Sequence, residues 1–310
     1  MSEPVRQWIR QAQLIVGKGG TGLLIEELRI QFEIEKTVDS PPNKAIIKVF
    51  NLNQENESKV RKEYTDVLLN AGYQGAMKQI YSGNVTHVYR YRERTDWITE
   101  IVCGDGDNFY RNSFVSETLE AGTDNKDTVS RVLDSAKKMG IELVQGHTVI
   151  KGDQRTRGKV MVGNSRDILK NVADQSGANW SIQDGVLQIV PATGMLPNEA
   201  IVVDSSTGML GAPEVNEKGI TVKFLMNPEA RVNGALKLDN NNMKMKGKKV
   251  GETSKGNQLT GEYVQSSGFQ DGAPTRIDPD GIYKIIKLTH KGDTRGKDWL
   301  TEALCVALEG

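Results

Sequence analysis

The stretch that closes the chain, residues 281–308, reads GIYKIIKLTHKGDTRGKDWLTEALCVAL. An apolar run at each end flanks the polar segment KGDTRGKD, and this arrangement predicts an antiparallel hairpin. In that register Cys305 lies opposite Ile285, which is five residues from His290 along the strand. At ~3.4 Å per residue, Cys305 and His290 are on the order of 17 Å apart. We expect the cysteine and histidine to point to opposite faces, beyond the reach of a nucleophilic pair. The stretch is therefore predicted to be a scaffold, not an active site.

Five residues of this hairpin are predicted to form its structural signature. Asp293 is expected to hold the loop by accepting backbone N–H groups, and Gly292 and Gly296 are expected to supply turn geometry. Trp299 is expected to cover one end of the β domain that contains the hairpin, where a large ring buries most of its area. His290 is expected to stabilise the turn. The residues expected to form one inward face are Ile286, Leu288, Leu304 and Val306.

The composition excludes several classes of protein. The 310 residues contain 40 Lys+Arg and 40 Asp+Glu, so no overall field attracts nucleic acid or acidic membranes. Two cysteines are too few for a disulfide framework or a four-thiolate zinc site. No signal peptide or membrane-spanning run is recognisable, which predicts synthesis in the cytoplasm and no membrane partner. The 32 glycines indicate many turns and favour β structure.

Residues 1–115 are predicted to form a first β domain with a short helical insertion. In LRIQFEIEK, which begins at Leu28, apolar and polar residues alternate as in a strand with one wet face. The helix is predicted between Asn53 and Lys62, because Asn53 is a good N-cap and acidic residues precede basic ones.

Residues 116–195 are predicted to form a small α/β domain. Two segments, 123–140 and 164–177, place apolar residues at helical spacing and end at a glycine. The Asp184–Gly185 dipeptide then predicts a tight hairpin. The expected cross-strand pairs are Ile182 with Leu187 and Trp180 with Ile189.

Residues 196–310 are predicted to form a second β domain. Its lysine-rich stretch at 240–258 has few large apolar residues and is expected to be a mobile loop. The order β, α/β, β predicts a mainly β (α+β) fold, with two β domains flanking the small α/β domain.

No catalytic, cofactor-binding or metal site is predicted. His87 and His147 lie in separate segments without metal-ligand spacing. The glycine-rich stretch at 17–22 precedes a strand, whereas a phosphate loop opens a helix. The GDGDN stretch at 104–108 lacks the spaced ligands of a calcium loop. The 240–258 loop would touch nucleic-acid phosphates through its lysines, but it lacks interleaved aromatics for stacking. The chain is therefore predicted not to be an enzyme.

Four stretches carry a resemblance to a known family. They are LRIQFEIEKTVDSPPNKAIIKVFNL (28–52), IYSGNVTHV (80–88), STGMLGAPEVNEKGITVKFLMNP (206–228) and YKIIKLTHKGDTRGKDWLTEA (283–303). In this order they resemble baseplate hub proteins of contractile-tailed bacteriophages, which are related to the hub part of type VI secretion spike proteins. The resemblance covers nearly the whole chain.

The resemblance implies a homotrimer in the virion baseplate, with two β-barrel-like domains per subunit. Six such domains would imitate the sixfold tail tube, while a threefold spike docks beneath. The implied partners are a tail tube protein or tube adapter, a spike protein and baseplate wedge proteins, with the genome passing through the channel. Two alternatives stay open: a tail-associated cell-wall hydrolase, and a nucleic-acid-binding module that uses the 240–258 loop.

Overall fold

The computed structural model describes residues 7–39, 41–152, 154–216, 218–238 and 280–308, and the backbone of 244–245. The predicted mobile loop at 240–258 lies outside these residues, apart from that backbone pair.

The first segment, residues 7–104, contains seven strands and one helix. They are β1 (Arg10–Lys18), β2 (Thr21–Ile25), β3 (Ile30–Thr37), β4 (Lys44–Phe50), α1 (Gln54–Lys62), β5 (Asp66–Tyr73), β6 (Lys78–Glu93) and β7 (Asp96–Gly104). The predicted helix is confirmed: Asn53 caps α1 by accepting the backbone N–H of Asn56.

The middle segment, residues 107–191, contains three helices and five short strands. They are α2 (Asp107–Asn112), β8 (Phe114–Leu119), α3 (Asn125–Lys138), β9 (Val144–Thr148), β10 (Lys159–Asn164), α4 (Ser165–Gln175), β11 (Ala178–Gln183) and β12 (Val186–Pro191). Both predicted helices are present, and Gly140 and Gly177, which follow them, have positive φ as helix-ending glycines do.

The predicted hairpin of the middle segment is confirmed in its register. Ile182 pairs with Leu187 and Trp180 pairs with Ile189. The turn residues Asp184 and Gly185 have φ of 57° and 79°. Aspartate and glycine tolerate this left-handed conformation, which a tight hairpin turn requires.

The last segment, residues 201–308, consists of strands in the described part of the chain. They are β13 (Ile201–Val203), β14 (Glu214–Asn216), β15 (Gly219–Leu225), β16 (Ala235–Leu238), β17 (Lys244–Met245), β18 (Ile282–Asp293) and β19 (Trp299–Val306). The closing hairpin is β18–β19, with Ile285 opposite Cys305 as predicted.

One sheet joins the first and last segments. Its main path is β17-β14-β15-β19-β18-β3-β4-β7-β6-β5-β1-β2, and β13 and β16 branch from it. The joint is the antiparallel pair β18–β3, in which Lys287–Asp293 run opposite Gln31–Thr37. The first residues of β18 pair instead with β16, so this strand contacts two neighbours along one edge.

The β18–β3 joint follows from the alternation in β3. Ile30, Phe32 and Ile34 are buried, whereas Glu33 and Glu35 face outward. Glu33 lies 2.7 Å from Lys291 and Glu35 lies 2.9 Å from Lys287 across the joint. Exposed pairs of this kind contribute about 0–1 kcal/mol each, so the buried face supplies most of the stability.

The buried side chains form three clusters, one for each segment. The first cluster also contains Met226 and Trp299 from the last segment. The predicted mainly β fold class is confirmed, but the described sheet is open and does not close into barrels. The predicted domain limits at 115/116 and 195/196 stay a proposal.

Candidate functional site

The closing hairpin lies where the last segment meets the first. One of its strands, β18, pairs with β3, and the other, β19, pairs with β15. The strand β18 extends to Asp293, so the loop is shorter than the predicted segment KGDTRGKD. The reason is that β3 continues to pair with β18 through Lys291, Gly292 and Asp293.

Asp293 anchors the loop of the hairpin to the first segment. Its carboxylate accepts two hydrogen bonds from Arg29, with Nη2 at 2.6 Å and Nε at 3.1 Å. It also accepts the backbone N–H of Arg295 at 3.0 Å. Burial alone raises the pKa of Asp293, but these hydrogen bonds outweigh it, so the net pKa is lowered.

The two signature glycines leave room for neighbouring side chains. A Cβ on Gly292 would lie 2.2 Å from Cζ of the Phe32 ring, its cross-strand partner. A Cβ on Gly296 would lie 2.3 Å from Oδ2 of Asp293. Both positions therefore require glycine because of close packing. Gly292 lies within β18 and not in the turn as predicted, whereas Gly296 closes the turn by donating its backbone N–H to the carbonyl of Asp293 at 3.4 Å.

Trp299 belongs to the core of the first segment. Its side chain is 2% exposed and meets the Phe32 ring edge-on, with centroids 5.7 Å apart. The guanidinium of Arg10 lies over it at 5.8 Å. We expected Trp299 to cover one end of the second β domain, and this prediction is wrong. Because β18 pairs with β3, that end of the hairpin lies in the core of the first segment.

A β-bulge between Ile285 and Lys287 changes the faces of the closing hairpin. Cross-strand partners share a face, and His290 pairs with Thr301 while Ile285 pairs with Cys305. His290 and Cys305 therefore share the buried face, and the prediction of opposite faces is wrong. The predicted inward face is also wrong for Leu304 and Val306, which are only partly buried.

His290 and Cys305 do not form a nucleophilic pair. The Nδ1 atom of His290 hydrogen-bonds with Thr301 Oγ1 at 2.9 Å. Burial, with the charge of Lys36 as a smaller cause, lowers the pKa of His290 to about 3. Burial raises the pKa of the Cys305 thiol. The thiol is neutral, and the histidine pairs with Thr301, four residues along β19 from Cys305, so both are core residues and not a nucleophilic pair.

A second junction, between the first and middle segments, was missed by sequence reasoning. The turn junction, as we call it, is built from Lys36, Asn43, Asp105, Gln183 and Asp184. The sequence treated Asp105 only as part of a turn at 104–108, yet its side chain is buried. One signal was present: the alternation that buries Ile30, Phe32 and Ile34 also buries Lys36, and a buried lysine needs a partner.

The hydrogen bonds of the turn junction are reciprocal. Asp105 accepts the backbone N–H groups of Asp184 at 2.5 Å and of Gly185 at 3.1 Å. The Asp184 carboxylate accepts Lys36 Nζ at 2.6 Å and the backbone N–H of Ser82 at 3.0 Å. The hairpin turn thus donates two backbone N–H groups to Asp105, and the Asp184 carboxylate in the same turn accepts a side chain and a backbone N–H from the first segment.

Asn43 and Gln183 complete the turn junction. Asn43 Nδ2 donates to the carbonyl of Ile182 at 2.9 Å, and Gln183 Nε2 donates to the carbonyl of Thr37 at 2.8 Å. Burial and the charge of Asp184 raise the pKa of Asp105 to about 7, against the opposing charge of Lys36.

A buried lysine connects the last segment to the end of the middle segment. Lys284 Nζ donates to the carbonyl oxygens of Pro191 at 3.0 Å and Ala192 at 3.3 Å. Burial lowers the pKa of Lys284 to about 8. The middle segment is therefore tied to the first and last segments by buried polar contacts, whereas the first and last segments also share the sheet.

A family model described as "Baseplate hub gp41" matches residues 10–243, about three quarters of the chain. The chain belongs to this family of baseplate hub proteins. The resemblance stated from the sequence is thereby confirmed, and this hub is a structural protein of a phage tail. No curated protein sequence matches it.

Solved structures share the fold of the hub at low sequence identity. The 43 kDa tail protein of prophage MuSo2 from Shewanella oneidensis is 7% identical with a TM-score of 0.57, over 96% of the hub and 98% of that chain. A tail protein from Neisseria meningitidis is 8% identical with a TM-score of 0.55, over 97% of both chains.

An Escherichia coli component of the type VI secretion system is also similar in fold. It is 10% identical with a TM-score of 0.57, over 96% of the hub and 77% of that chain. That protein is itself described as structurally similar to the T4 bacteriophage tail proteins gp27 and gp5.

The other histidines and glycine-rich stretches of the hub lie apart from one another. His87 is exposed on β6 and stacks on Tyr89, whereas His147 lies in β9. Gly19 and Gly20 form the turn between β1 and β2. Among the described residues no group of three or more His, Cys, Asp or Glu side chains is arranged to hold a metal ion. None of the helices described has the length and apolar character needed to span a membrane.

Proposed function

We propose that this hub is a homotrimer that joins the sixfold tail tube of a contractile-tailed phage to the threefold central spike, and that it organises baseplate assembly. The shared sheet supports this proposal most. Because β18 pairs with β3, each chain holds two β units in one fixed relation. Three chains then present six β units to the tube and three equivalent surfaces to the spike.

The proposal assigns β-barrel-like units to residues 1–115 and 196–310, and an α/β unit to 116–195. The partners are the tail tube protein or a tube adapter above, the spike below and wedge proteins at the periphery. Nucleic acid enters only as the genome passing through the channel, and no membrane or cofactor takes part. The hub is made in the host cytoplasm and acts in the virion baseplate.

Multi-angle light scattering tests the oligomeric state. We expect a hub mass of about three times 34.2 kDa, measured for the hub alone and, after the mass of the bound spike protein is subtracted, for the complex co-expressed with the spike protein of the same phage. A trimer in either sample supports the proposal. A monomer, or any other oligomer, in both samples would contradict it.

The hub is further proposed to have no enzymatic activity. His290→Ala and Cys305→Ala should still give assembled particles, because both side chains act as buried packing. Cys305→Ala should cost about 1 kcal/mol, the middle of the range for small core truncations. We expect no clearing of peptidoglycan by wild type or by either variant. Fully assembled particles with a selective loss of cell-wall cleavage would show that the hairpin is an active site.

A further inference from the structure

The turn junction contains more negative than positive charge. The junction contains two carboxylates and one ammonium: Lys36 binds the carboxylate of Asp184, and Asp105 accepts the backbone N–H of Asp184. Asp105 is fully buried, and the Asp184 and Lys36 side chains are 11% and 7% exposed. Charges interact strongly where water is excluded, so an unbalanced buried carboxylate favours uptake of a proton.

We propose that Asp105, Asp184 and Lys36 form a proton-linked latch, which holds the middle segment to the first segment and weakens as the pH rises through neutrality. The latch acts on the hairpin turn at 184–185. Asp105 is the acceptor for both backbone N–H groups of that turn. A change in its charge therefore acts directly on the contact between the segments.

In the part of the chain that the structure describes, the groups around the latch do not supply a second cation. Asp107 of α2 is paired with Arg111 at 3.0 Å. The phenols of Tyr81 and Tyr110 and the thiol of Cys103 stay neutral, because burial raises the pKa of each. His290 of β18, on the far side of Lys36, also stays neutral because its pKa is lowered. The backbone N–H groups of Asp184 and Gly185 offset part of the excess negative charge, and a proton on Asp105 balances the remainder.

The direction of the pH effect follows from linkage. Asp105 has a pKa of about 7 in the folded chain and ~3.9 when unfolded. Between these two pH values the folded state binds a proton that the unfolded state does not. The contribution of this proton to the free energy of unfolding is therefore complete below ~pH 4 and declines as the pH rises to about 7. Above that pH the latch carries its full excess charge.

Urea unfolding from pH 5 to 9 tests the latch, with Asp105→Asn as the variant that cannot titrate. Relative to this variant, the folding equilibrium constant of wild type should fall up to ~10-fold per pH unit towards neutrality and then level off. The exposed Asp174→Asn on α4 is the matched control, and its profile should parallel that of wild type. Hydrogen exchange in a peptide covering 181–187 should lose protection over the same range, once intrinsic exchange rates are corrected.

Parallel pH profiles for wild type and Asp105→Asn would overturn the proposal. A titration of wild type with ¹³C-labelled aspartate decides the point even if the variant fails to fold. One carboxyl should titrate near neutrality. If every aspartate titrates below ~pH 5, close to its ordinary pKa, no proton is held in the latch.

Discussion

Trp299→Ala destabilises the hub by about 3–5 kcal/mol, the range for removing a buried aromatic ring from a core. The ring packs edge-on against Phe32 and lies under Arg10, so its loss leaves a cavity that spans two segments of the chain. The last segment contributes few other side chains to the first core, among them Met226. We therefore expect the variant to fail in assembly as well as in stability.

Urea denaturation measures this loss, and Trp97→Ala is its matched control. Trp97 is 44% exposed and its ring stacks with Arg90 at the surface. An exposed contact of this kind is worth about 0.5–1 kcal/mol, so the control should lose about 1 kcal/mol or less. Equal losses in the two variants would mean that Trp299 does not join the two segments.

Gly292→Ala should be the second most damaging change, with an expected loss of about 1–3 kcal/mol from overpacking. The new Cβ would lie 2.2 Å from the Phe32 ring. That ring is held in place by Trp299, so it cannot move aside without disturbing the first core. Thermal unfolding and particle assembly should both report the loss.

A control and a rescue separate overpacking from a general intolerance of alanine. At Gly194 a Cβ would meet nothing closer than 3.4 Å, so Gly194→Ala should be nearly neutral. Phe32→Leu shortens the side chain that Gly292 accommodates, and it should recover part of the loss when combined with Gly292→Ala. If the combined losses simply add, the clash between the two residues is not the cause.

Local signals in the sequence predicted the local elements well. Asn53 caps α1, and Asp184 and Gly185 set the register of the hairpin β11–β12. Each of these features depends on residues that are near one another in the chain. The alternation in β3 likewise predicted its buried and exposed faces.

Local signals of this kind could not predict the pairing of strands that are far apart in the sequence. Nothing in the sequence of the closing hairpin indicates that β18 pairs with β3, some 250 residues earlier. The bulge at Ile285–Lys287 depends on this context too, because β18 changes neighbour there from β16 to β3. That single irregularity placed Leu288 and His290 on the same face as Ile285 and Cys305.

The turn junction shows the same limit for the site. Lys36, Asp105 and Asp184 come from three distant parts of the chain and form no motif. Only the position of Lys36 in the alternation of β3, among the residues that face the core, indicated that this lysine must have a buried partner. The identity of that partner depended on the packing of the middle segment.

Electron cryo-microscopy of the tail tip in intact virions tests the central claim most directly. We predict three copies of the hub around the tail axis, between the last ring of the tube and the spike, with the closing hairpin continuous with β3 in each copy. A map with another copy number, or with the hub away from the tube–spike junction, would contradict the proposed role.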